Sequence, residues 1–146
     1  MLKIIDQASK YGEIKKQDID LSKCLSVINS FGYSTSDKLI DFLKKYNGLH
    51  GYHSAYKNNS GKSKFFYINP EKAMLQLYQE QVADYEKITQ CSLVPIGECD
   101  NGYIILMYGD DVIYGVFDQS VYKYGQNIPS CFDTLINGKE TINMSS

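Results

Sequence analysis

The chain has no tryptophan and only two histidines, and none of its four cysteines stands in a C-x-x-C pair. That spacing argues against the paired-cysteine zinc and dithiol motifs. Cys24, Cys91, Cys99 and Cys131 are spread through segments that look like helix or strand, so they read as small buried hydrophobes. No stretch approaches the ~20 apolar residues of a membrane span, and the start, "MLKIIDQASKYGEIKK", lacks the apolar core of a secretory signal. The expectation is a cytoplasmic protein with reduced thiols and no membrane partner. A further absence is positional. Between Lys87 and Lys123 there is no lysine or arginine, while Glu98, Asp100, Asp110, Asp111 and Asp118 all fall there.

What is present suits one globular domain spanning residues 1–146. Apolar residues make up 43% and charged residues 22%. A chain of this length buries enough surface to fold without a metal or a disulfide. A net charge of −2 and a pI near 5.6 give no electrostatic reason to bind nucleic acid directly. The five acids between the two lysines outweigh that total, so the remainder of the chain sums to +3 and the C-terminal half carries an acidic field. Thirteen tyrosines, several on or beside the acidic segment, supply rigid contact area with a polar tip, as strands and interfaces both use.

Hydrophobic spacing makes the N-terminal quarter helical. Leu21, Cys24, Leu25 and Ile28 form one stripe with Asp20 or Asp18 as cap. A second helix carries Leu39, Ile40, Leu43 and Tyr46, opens with a capping box from Ser34 to Asp37 and stops at Gly48. "GYHSAY" and "KFFYIN" predict a hairpin with a mobile tip at "KNNSGKS". Asn69 and Pro70 then start the longest helix, whose stripe of Met74, Leu77, Tyr78, Val82, Tyr85 and Ile88 runs to about Gln90. Strands follow at Leu93–Cys99, Tyr103–Tyr108, Val112–Phe117 and Val121–Tyr124. Their turns fall at Asn101-Gly102, at Gly109 to Asp111, and at "DQS". A short helix with Pro129 near its start and Gly138 at its end closes the chain. Helices early and strands late give an α+β fold, with helices packed on a mainly antiparallel sheet that contains a meander.

No reaction is legible. In "LVPIGECDNGYIILMYGDD" the spacing of Gly97, Gly102 and Gly109 matches no phosphate-binding loop, and a strand follows where a helix would be needed. His50 and His53 form the only H-x-x-H pair, yet a strand would set them on opposite faces, and no cysteine or carboxylate lies close by in the sequence. No serine sits in a nucleophile elbow. Asp110 and Asp111 occupy an exposed turn, where water keeps both ionised. The expectation is therefore a non-enzyme with no catalytic residue, metal or cofactor.

The acidic, tyrosine-rich meander remains. Turns alternate between its ends, so Glu98, Asp100 and Asp118 share one end while Asp110 and Asp111 lie at the other, roughly 20 Å away. With Tyr103 and Tyr122 nearby, these seven residues are the candidates for binding a protein partner.

Four segments carry a family resemblance: "LIDFLKKYNGLHG", "YINPEKA", "LVPIGECDNGYIILMYGDDVIYGVFD" and "YGQNIPSCFDTLINGK". Together, from about Leu21 to Lys139, the chain resembles the SUKH superfamily of bacterial immunity proteins, its third subfamily above all. The most specific pieces are Tyr46-Asn47-Gly48 and Val94-Pro95-Ile96-Gly97. The resemblance implies an antitoxin: a cytoplasmic immunity protein that binds and silences a cognate protein toxin of a polymorphic toxin system, often a nuclease, without catalysis. It supplies no active site and leaves the oligomeric state open. Relatives in fungal cell-wall regulation imply an alternative, a general binding or scaffold module with no toxin. An enzyme centred on His50 and His53 is a third reading.

Overall fold

The computed structural model describes residues 14–54 and 63–145. All but the last residue of the expected hairpin tip "KNNSGKS" lies outside them. Each helix is set by local chemistry at its ends. The Asp20 carboxylate accepts the Lys23 N–H and opens α1 (Leu21–Ser30), which buries Cys24 and Ile28. Helix α2 (Asp37–Tyr46) is capped by Ser36, whose hydroxyl accepts the Leu39 N–H at 3.1 Å, two residues later than the Ser34 box expected from sequence. It ends where Asn47 turns extended and Gly48 takes φ +87°.

The long helix expected from Asn69 to Gln90 is two. Helix α3 (Pro70–Met74) starts on the Asn69 cap, and α4 (Gln79–Thr89) starts afresh after Tyr78 turns extended. The Gln81 side chain accepts the Tyr78 N–H at 2.9 Å, holding the break. Tyr78, counted into the apolar stripe by period, is left 78% exposed, and Leu75 beside the break is 73% exposed. Helix α5 (Ile128–Asn137) follows the sequence, with the Asn127 side chain capping Ser130 N–H and Gly138 left-handed at its end. No helix among the described residues is long and apolar enough to cross a membrane.

The strands are β1 (Ile14–Lys16), β2 (Leu49–Ser54), β3 (Ser63–Ile68), β4 (Val94–Cys99), β5 (Ile104–Gly109), β6 (Val112–Phe117), β7 (Ser120–Lys123) and β8 (Ile142–Asn143). They form one antiparallel sheet in chain order, each strand beside the next. The meander therefore reaches back to β1, in the quarter that sequence periodicity made helical, and forward to β8. The α+β class stands.

Alternation sorts the side chains onto two faces. On one, Phe42 and Tyr46 of α2 meet Phe132 of α5 and Tyr108 of β5 in an aromatic cluster, and the Cys131 thiol takes the Ile113 N–H. On the other, Ile105, Met107, Tyr114 and Val116 are buried as well. That second layer includes α4, where the Tyr85 hydroxyl donates to the Asp118 carbonyl, and Cys91, which hydrogen-bonds Tyr114. The central strands are thus covered on both faces. Among the described residues the cover on the second face stops at β4, and Tyr52 and Phe65 of β2 and β3 are exposed.

Candidate functional site

The rim of the sheet at the β4–β5 and β6–β7 turns collects acids and rings. Between Cys99 and Ile104 the chain makes a tight loop in which Asp100, Asn101 and Gly102 all have left-handed φ, 52°, 58° and 92°. Aspartate, asparagine and glycine are the residues that tolerate this conformation. Asp118 has φ 53° in the β6–β7 turn. Both acids are therefore exposed or half-buried by the turn chemistry itself.

Two aromatic side chains stand between them. Tyr103 is 70% and Phe117 51% exposed, and their rings meet edge-on with centroids 6.5 Å apart. Phe117 directly precedes Asp118, and Tyr103 lies three residues after Asp100. Tyr122 pairs with Gly115 and shares the face of Phe117, two residues further from the turn. Glu98 is half-buried just beneath the loop, its Oε2 3.6 Å from where a Cβ on Gly102 would lie. Burial first, then a hydrogen bond to Glu98 and its charge, drive the Tyr67 hydroxyl far above its ordinary pKa, so it stays a proton donor to that carboxylate.

Of the seven residues expected from sequence, the fold groups Glu98, Asp100, Tyr103, Asp118 and Tyr122 at one end. Asp110 and Asp111 stand apart at the other, both left-handed at φ 46° and 64° in a two-residue hairpin turn. They have internal work there. Asp110 pairs with Lys38 at 3.3 Å, and Asp111 accepts the Tyr108 hydroxyl at 2.9 Å. Phe117 was missed by sequence reasoning, because its position in a strand looked like ordinary packing. Exposure at the last residue before a turn was the available signal.

His50 Nδ1 lies 3.0 Å from the Gly48 carbonyl oxygen. His50 and His53 both belong to β2. Among the described residues no group of three His, Cys, Asp or Glu side chains is placed to hold a metal ion.

Exposed rings beside carboxylates are a combination found on protein-binding surfaces. The model of one family, described as SUKH-3 immunity protein, matches residues 7–138, and the chain belongs to that family. Comparison with curated proteins and with solved structures gave no match. Family membership implies an immunity role with a toxin as cognate partner.

Proposed function

We propose that this chain, acting over residues 1–146 as one immunity domain in the bacterial cytoplasm, binds and silences a nucleic-acid-cleaving toxin of a polymorphic toxin system by non-catalytic docking. The observation that carries it is the rim: Asp100 and Asp118 flank the exposed Tyr103–Phe117 pair, with Glu98 and Tyr122 behind. A nuclease is basic around its substrate cleft, because it must attract phosphate. Carboxylates held in fixed turns compete for that surface and steer encounter, while the rings give area that stays rigid on binding. Asp110 and Asp111 extend the acidic field from the far end.

Co-expression of the chain with candidate toxin domains tests the reading. The expected result is that one nuclease domain ceases to kill and co-purifies with the chain. Rescue from a toxin of another activity class would overturn the nuclease assignment, and rescue without complex formation would overturn docking.

A further inference from the structure

The part of the sheet that the described residues leave uncovered carries a charge order that the covered part lacks. One register row reads Lys15, His50, Tyr67, Glu98 across β1 to β4, and it continues as Ile105, Val116 and Val121, all buried. Antiparallel partners share a face, so these side chains stand on one surface. Lys15 is at one flank and Glu98 at the other, three strand spacings or about 14 Å apart. The neighbouring row on that face pairs Tyr52 with Phe65, 62% and 40% exposed. Phe65 stacks on Tyr67 with centroids 6.2 Å apart, and Lys72 walls the groove with its Nζ 5.3 Å from the Tyr67 ring centre. The groove over these rings has a volume of about 290 Å³. Exposed aromatics that adjoin one another on an uncovered sheet mark an interaction surface.

The charge order selects the occupant. A face with rings at its centre, a cation on one flank and a carboxylate on the other complements a second copy of itself under one kind of rotation. A two-fold axis lying in the interface and running along the strands between β2 and β3 exchanges the flanks. Lys15 then meets Glu98 of the partner subunit, twice by symmetry, and Tyr52 meets Phe65 of the partner subunit. An axis running across the strands would instead set lysine on lysine and glutamate on glutamate. We propose that the chain forms an isologous homodimer through this open sheet face, its axis along the strands and its register fixed by two Lys15–Glu98 pairs.

Sedimentation velocity on the full chain over about 1 to 100 µM tests this, with K15E, E98K and their equimolar mixture. The expected wild-type species has twice the 16.6 kDa monomer mass. Each single reversal sets like charges face to face twice and should weaken association by about tenfold or more. Mixing the two variants restores both opposite-charge pairs, so the mixed dimer should recover near-wild-type affinity. A variant that had merely failed to fold would not be rescued in this way, and circular dichroism of each variant checks that both are folded. A wild-type monomer at the highest concentration, reversals without effect, or folded variants that fail to rescue one another would each overturn the dimer. Lys15 lies outside the toxin-facing rim. Loss of association in K15E with undiminished protection from the toxin therefore separates this surface from the proposed function.

Discussion

The side-chain oxygen of Asn101 accepts the backbone N–H of Phe65 at 2.9 Å, across 36 residues of sequence. β3 and β4 share only the Tyr67–Glu98 and Ile68–Gly97 pairs, so beyond Tyr67 the strands part and the β4–β5 loop fills the gap. Asn101 supplies the acceptor that a strand neighbour would have given, and it does so from a left-handed backbone. Two costs are combined at this position, and two substitutions separate them. Asn101→Gly keeps the backbone preference and loses the hydrogen bond, for about 1 kcal/mol. Asn101→Ala loses the bond and adds left-handed strain of about 1–2 kcal/mol. Urea denaturation should rank wild type above glycine and glycine above alanine.

Gly97 and Gly48 stand where no side chain fits. A Cβ on Gly97 would lie 2.0 Å from the Tyr67 carbonyl oxygen, and one on Gly48 would lie 1.9 Å from that of Gln17. Both obstacles are backbone, so neither can move aside cheaply. Gly97→Ala and Gly48→Ala should each cost more than about 3 kcal/mol or prevent folding. Gly102→Ala meets only the Glu98 side chain at 3.6 Å and carries strain from φ +92°, so about 1–2 kcal/mol is expected. Equal denaturation midpoints for Gly97→Ala and Gly102→Ala would contradict this account.

These glycines show how far the sequence could be read. Gly48 as a helix stop was legible from its place after an apolar stripe, and the β5–β6–β7 meander was legible from turn residues at short, regular spacing. The backbone contact of Gly48 with Gln17 was not, because it depends on β1 pairing with β2, a long-range event that the three residues Ile14–Lys16 do not announce. The break between α3 and α4 was hidden by Met74, Tyr78 and Val82, which stand four residues apart and keep helical period across it. It rests on Gln81 capping Tyr78, a pairing outside the usual serine or aspartate signature. At the site, turn acids were findable because turn chemistry is local. The exposure of Tyr52, Phe65 and Phe117 depends on where the helices stop covering the sheet.

The thiols divide by burial. Cys24, Cys99 and Cys131 are buried, whereas Cys91 is half-buried. Burial first, then the charge of Glu71, pushes the Cys24 thiol from 9.0 up to about 11, and burial likewise raises Cys131 to about 11. At neutral pH a thiol reagent should modify Cys91 well before the other three, and all four should react in denaturant. The pH dependence has a definite sign. A folded pKa above the unfolded one gives stability that is complete below pH 9 and is lost as pH rises towards about 11, since unfolded thiols ionise first. Urea midpoints should fall across that window, and fall less in Cys24→Ala.

The two acidic ends should differ in their effect on toxin association. Asp100 and Asp118 lie beside exposed rings, and Asp110 and Asp111 lie at the far end, where Lys38 and Tyr108 engage them. Asparagine suits the test, since it removes charge, tolerates left-handed φ and still accepts a hydrogen bond. Asp100→Asn with Asp118→Asn should slow association by about three- to tenfold at low salt and flatten its salt dependence, leaving fold stability within about 1 kcal/mol. Asp110→Asn with Asp111→Asn removes as much net charge from the far end. If that pair slows association equally, the acids act as a diffuse field and the rim loses its special status. If only the first pair does, the partner's basic surface docks at the Tyr103–Phe117 end.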